Sequence, residues 1–245
     1  MLIAAAVCPH PPLLIPGALG AAAGSPPAAL RAVADACAVA VHALVAAGPD
    51  LIAVVGGGPG DREYPAGAAG SLHDFGVPVT VGEGEPVLPL SLTVGRWLLD
   101  QAMQAPGAGG HGQVPDILFQ AVDQRAPAAD CLKLGVLIAE RAPRVALLAM
   151  GDASARRARD IEGAADPEAQ EYDDEVAEAL AAADARWLGR LNPALDDELM
   201  VAGRAAWQVL AGAASGRRLH GRLLCLAIPY GVTYLVASWE ELRAD

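Results

Sequence analysis

Runs of small apolar residues alternate along this chain with stretches in which apolar residues recur every three or four positions. Residues 2–7, 51–55, 116–122 and 144–150 read as buried strands, and residues 219–228 and 232–239 as a closing strand pair. Between them, residues 28–47 place Leu30, Val33, Cys37, Val41 and Leu44 on one helical face. Arg31, Asp35, Ala38 and His42 fall on the opposite face, so His42 is read as a solvent histidine. Gly48 and Pro49 end that helix. Further helices are predicted over residues 91–104, 130–141, 168–191 and 196–214. The fourth turns Tyr172, Val176, Leu180, Ala183, Trp187 and Leu191 inward, and the fifth Leu199, Gly203, Ala206 and Leu210. Strands separated by helices predict a three-layer α/β sandwich: a mainly parallel central sheet with helices on both faces. The short link Pro229-Tyr230-Gly231 suits an antiparallel final pair.

At 245 residues the chain is read as one domain, residues 1–245. Hydrophobic residues make up 53% but aromatic ones only 4%, so the core must come from Ala, Val and Leu. Alanine buries little area per residue, so close helix-to-sheet approach is expected to fill the interior. No uninterrupted apolar run reaches the roughly 18 residues of a membrane span. Residues 2–7 lack the basic lead of a signal peptide, so no membrane and a cytoplasmic location are expected. The net charge of −12 argues against nucleic acid as a partner. Cys8, Cys37, Cys131 and Cys225 show no Cys-x-x-Cys spacing, and the last three are read as buried free thiols.

Residues 56–70 and 106–115, rich in Gly, Pro and Ala, read as mobile loops. The glycines at 56–58 are no phosphate loop, because Pro59 follows where Lys-Ser/Thr would be needed, and no dinucleotide fingerprint. They are read as permitting a sharp turn at the strand end; the other reading is room for a ligand against the backbone.

The stretch Cys8-Pro9-His10-Pro11-Pro12 carries the strongest chemical signal. Pro11 biases His10 towards extended backbone, and Pro9 and Pro12 stiffen the same turn. Ligands of open α/β sheets bind beyond the carboxyl ends of the strands, so His10 is an imidazole presented rigidly where such folds keep their chemistry.

That opening, running on through Leu13, Leu14, Ile15 and Pro16, resembles the class III extradiol ring-cleavage dioxygenases, specifically their catalytic B-subunit family. Three later segments are also similar to that family: VALLAMGDASARR from Val145, PEAQEYDDEVAEAL from Pro167, and LLCLAIPYGVTYLVASW from Leu223. The resemblance implies the family's fold over the whole chain, and Fe(II) held by two histidines and a carboxylate, with a further histidine for acid-base work. His10 matches the first ligand. Where the second should stand the chain has Gly56, Gly57 and Gly58, and where the acid-base histidine should follow Ser154 it has Ala155. The acids nearest the expected carboxylate are Glu240, Glu241 and Asp245, read as a solvated tail. His73, His111 and His220 are the histidines left to substitute for a lost ligand.

Asp152, Ser154, Arg156, Arg157 and Arg159 could form an anion pocket. The simpler reading, adopted here, pairs those arginines with Asp160, Glu162, Asp166 and Glu168 as a surface loop. Residues 172–175 read as the acidic first turn of a helix.

The expectation is therefore an extradiol dioxygenase-like domain that has lost ring cleavage. Its role is non-catalytic, binding a small molecule or another protein, a second copy of itself included. Its pocket comprises His10, Gly57, Gly58, Asp152, Ser154 and Tyr230, with no catalytic residue, no metal ligand set and no cofactor. The alternative is a metal-dependent, ring-opening oxidoreductase using His10 with non-standard ligands, and with Fe(II) or another divalent metal.

Overall fold

The structure is a computed structural model that describes residues 1–18, 27–105, 114–157 and 166–242. His111, Arg159, Asp160, Glu162, Asp245 and most of the 106–115 loop lie outside the described residues. Nine strands and seven helices follow in the order β1 Leu2–Cys8, α1 Ala28–Ala46, β2 Leu51–Gly58, β3 Arg62–Tyr64, β4 Gly70–Ser71, β5 Thr80–Val81, α2 Leu90–Gln104, β6 Asp116–Asp123, α3 Ala128–Ala139, β7 Val145–Met150, α4 Pro167–Ala182, α5 Ala185–Leu188, α6 Ala194–Leu199, α7 Arg204–Ala213, β8 Leu219–Ala227 and β9 Tyr234–Glu241, counted among the described residues.

The seven-stranded sheet has the order β3-β6-β2-β7-β1-β9-β8. The four strands β6, β2, β7 and β1 are parallel; β9, β8 and the edge strand β3 run antiparallel to their neighbours. Both faces are covered, which is why the central strands read as unbroken apolar runs. Ala4, Ala6, Ile52, Val54, Ala146 and Leu148 pack under α1 and α2 on one face. Ala5, Val7, Ala53, Val55, Leu147 and Ala149 pack under α3 to α7 on the other. The chain thus adopts the three-layer α/β arrangement.

Two expected helices are each interrupted. Residues 168–191 do not form one helix: Ala183 takes a left-handed φ of 52° and ends α4. Strand β8 decides this, because a Cβ on Gly221 would stand 2.6 Å from the Ala183 nitrogen, so bare backbone passes the helix end. Trp239 Nε1 also donates to the Leu180 carbonyl at 2.7 Å, satisfying a helix-end acceptor. Residues 196–214 likewise break into α6 and α7 at Met200, with φ 55°. Close approach of helix to sheet, as at Gly221 and Gly95, is joined by close helix–helix contact in filling the alanine-rich core. A Cβ on Gly135 of α3 would lie 2.0 Å from the Val209 carbonyl, and one on Gly212 of α7 the same 2.0 Å from the Leu132 carbonyl.

Four other expectations are corrected. The glycines at 56–58 form no turn; they complete β2 and pair with residues 121–123 of β6. The expected 56–70 loop also contains β3. Glu240 and Glu241 belong to β9, and Cys225 is half-buried. Helix α1 has the length and composition of a membrane span, 19 residues with hydropathy 1.7, although Arg31 and Asp35 interrupt it, and its apolar stripe packs on the sheet.

The crossovers place the site. β1 connects to β2 through α1 on one face, and β6 connects to β7 through α3 on the other. At β1 and β7, neighbours in the sheet, the chain leaves to α1 on one face and to α4 on the other, and the carboxyl ends of such a strand pair are where α/β folds place a ligand crevice.

Candidate functional site

Beyond Cys8 the chain continues alongside the end of β7: the Gly151 N–H donates to the Cys8 carbonyl at 2.9 Å. The His10 N–H then donates to Asp152 Oδ1 at 2.8 Å. The ring follows the backbone, with Nδ1 3.6 Å from the same carboxylate oxygen. His10 is only 7% exposed, and its Nδ1 is buried without a hydrogen-bond partner among the described residues. Pro11 begins a tight turn in which Leu14 and Ile15 donate back to the Pro11 and Pro12 carbonyls, fixing the histidine's exit. Asp152 is held from behind by the Ala202 N–H, which donates to its carbonyl at 3.1 Å. Beside it, burial first and then the Asp152 charge hold the Tyr234 phenol above its ordinary range.

Of the other residues read as a pocket, Ser154 commits its hydroxyl and its amide to Asp173. It is fully buried, and its hydroxyl donates to Asp173 Oδ2 at 2.7 Å while its N–H donates to Asp173 Oδ1 at 2.9 Å. Thr233 Oγ1 donates to Asp173 Oδ2 at 2.6 Å, and Arg157 stands 3.7 Å from it. Backbone bonds Ala153 N–H to Thr233 and Thr233 N–H to the Ser154 carbonyl close the same knot. Burial raises the Asp173 carboxyl, while the hydroxyl, amide and guanidinium partners pull it back down. Asp173 is therefore not an exposed first-turn acid: it lies within α4 and is fully buried. Arg157 stands beside the buried Asp173, and Asp166 caps α4 through the Glu168 N–H. Tyr230 is 65% exposed, at φ 57° in the turn before β9.

Side chains stand close against the glycine end of β2. A Cβ on Gly56 would meet Ser91 Oγ at 2.5 Å, one on Gly57 would meet Gln124 Nε2 at 2.8 Å, and one on Gly58 would meet Ala121 Cβ at 2.8 Å. Ser91 donates its hydroxyl to the Gly57 carbonyl at 2.7 Å. Gly58 faces a separate cleft of about 600 Å³ with Asp123, Asp196 and Asp197.

A ferrous site of the type the resemblance implies does not fit these residues. His10 and Asp152 supply donors at one strand end, while the positions for a second imidazole are glycines with Ser91, Gln124 and Ala121 set close against them. Glu240 pairs with Ala4, so the acids of β9 lie at the amino end of β1, away from His10. His73 and His220 are exposed, on a turn after β4 and on the edge strand β8. Among the described residues no group of three or more His, Cys, Asp or Glu is placed to hold a metal ion.

Sequence reasoning missed Asp173, Thr233 and Arg204, the three polar residues that tie the ends of these elements together. The signal for Asp173 was its place three residues before Val176 and one after Tyr172, on the edge of the inward stripe.

No protein-family model matches this chain, and no curated protein matches it. Its fold is similar to the crystal structure of the uncharacterized protein JW3007 from Escherichia coli K12, with a TM-score of 0.52 and 16% identity over 97% of this chain and 99% of that one. At that identity the similarity concerns the fold.

Proposed function

We propose that this chain is an extradiol dioxygenase-like protein of the class III B-subunit type that has given up ring cleavage, and that it binds a small molecule against His10 at the β1–β7 crevice. One asymmetry carries the reading. The β1 end keeps a rigid, buried imidazole with an unpartnered Nδ1 beside Asp152, while the β2 end, where a second imidazole would come, is filled by Ser91, Gln124 and Ala121. A buried ring nitrogen without a partner costs free energy, and a ligand's polar group would recover it. Ala155 leaves no imidazole for proton transfer after Ser154, a group worth about 100- to 10,000-fold in rate where it exists. Cytoplasmic residence belongs to the same proposal and is supported by four free thiols.

The test is anaerobic loading with Fe(II), removal of free metal and quantification of what stays. Far less than one iron per chain is expected, with no oxygen uptake on catechol, protocatechuate or gallate, and Ala155→His alone should not change this. One tightly held iron per chain that is lost in His10→Ala would overturn the reading in favour of a metal-dependent oxidoreductase with non-standard ligands.

A further inference from the structure

The chain carries 29 acidic against 17 basic side chains, so cations gathered around one cavity stand out. Such a cavity, of about 750 Å³, lies between α3, α5 and the carboxyl end of α7. Its rim holds Lys133, the chain's one lysine, with Arg186, Arg190 and Arg217. The volume falls within the roughly 300–1,000 Å³ of small-molecule sites. Arg217 is ion-paired with Glu241. Lys133, Arg186 and Arg190 take part in no ion pair among the described residues, although six other arginines do. Asp184, the carboxylate on the cavity wall, is engaged by the Trp187 N–H at 2.9 Å as the cap of α5. Leu132, Val136 and Ala211 line the remaining wall with apolar surface.

We propose that this cavity binds a small phosphate-bearing molecule, whose phosphate oxygens take charge-assisted hydrogen bonds from Lys133, Arg186 and Arg190 and whose apolar body lies on Leu132 and Val136. Lys133 of α3 and the pair Arg186 and Arg190, in and just beyond α5, line one concave surface, and none of the three is ion-paired among the described residues. A solvated charged face would spread such groups over a convex surface. The cavity shares no lining residue with the His10 crevice, so this site stands or falls independently of the function proposed above.

Calorimetric titration of the full chain with pyrophosphate and with ATP, at about 50 mM salt where screening is weak, tests it. Saturable binding of one molecule per chain is expected. Arg186→Gln and Arg190→Gln should each weaken it at least tenfold, as loss of one charge-assisted hydrogen bond implies. Both arginines are exposed, so unchanged melting temperatures check that the variants fold. Arg125→Gln, an exposed arginine paired with Asp197 away from the cavity, should leave binding unchanged. No saturable heat with either probe up to about 5 mM would overturn the proposal, since that bounds affinity below any specific use. An equal loss with Arg125→Gln would also overturn it, because attraction would then be diffuse.

Discussion

Asp173→Ala is expected to lower the unfolding free energy by about 3–5 kcal/mol, the range for removing one partner of a buried ionic network. Most domains hold only about 5–15 kcal/mol in total, so the variant should be barely folded at 37 °C. The carboxylate accepts from the Ser154 amide, the Ser154 hydroxyl and the Thr233 hydroxyl, and faces Arg157 at 3.7 Å. These partners come from the β7 loop and from the chain entering β9, so one side chain of α4 holds both to the helix. Its loss leaves buried donors unpaired, and each costs about 1–3 kcal/mol. Asp173→Asn keeps one acceptor oxygen and should cost about half as much. Urea unfolding followed by circular dichroism measures both, and a loss under about 1 kcal/mol in the alanine variant would show that the network is not holding these segments.

Arg204→Met should cost a similar ~3–5 kcal/mol, although methionine preserves much of the side-chain volume. Arg204 is 1% exposed. Its guanidinium donates to Asp196 Oδ2 at 2.7 Å, the Ala126 carbonyl at 2.7 Å and Gln208 Oε1 at 3.0 Å, and also to the Gln124 carbonyl. It thereby joins α6, α7 and the turn between β6 and α3. Adding Asp196→Leu to Arg204→Met should recover part of the loss, because an apolar pair tolerates burial better than a lone carboxylate. No recovery would mean that the carbonyl contacts carry the whole effect. Burial pushes Asp196 up to about 6 from its ordinary 3.8, against the pull of Arg204. The folded protein then holds a proton that the unfolded chain has released across pH 4–6. This contribution is present at low pH and is lost as pH rises through about 6. Asp196→Asn should therefore flatten the pH dependence of stability across that window, and an unchanged slope in the variant would contradict the assignment.

The strands and most helix positions were legible from one sequence because they rest on local periodicity. The fully apolar runs could only be sheet covered on both faces, and the stripe from Leu30 to Leu44 could only be a core-facing helix. The position of His10 was legible for the same reason: prolines restrict backbone whatever surrounds them, and the end of a buried strand in an α/β order has one expected place. What periodicity cannot contain is contact between segments far apart in the chain. Nothing local says that α4 must stop at Ala183, because Gly221 of β8 imposes it from some forty residues away. The glycines at 56–58 carry a turn-like composition, yet two flanking strands and the side chains of Ser91, Gln124 and Ala121 make them strand. Asp173 read as an acid of a helix's first turn because charged residues usually lie outside, and Arg204 carried no local signal; only packed neighbours supply the hydrogen bonds that let them be buried. The sequence alone thus determined the layers and the end of the sheet at which His10 stands. The tertiary structure decided that Asp152 accepts from it, that the Ser154 hydroxyl goes to Asp173, and that Ser91, Gln124 and Ala121 stand against the adjoining strand end, because those facts depend on which distant backbones approach within a few ångströms.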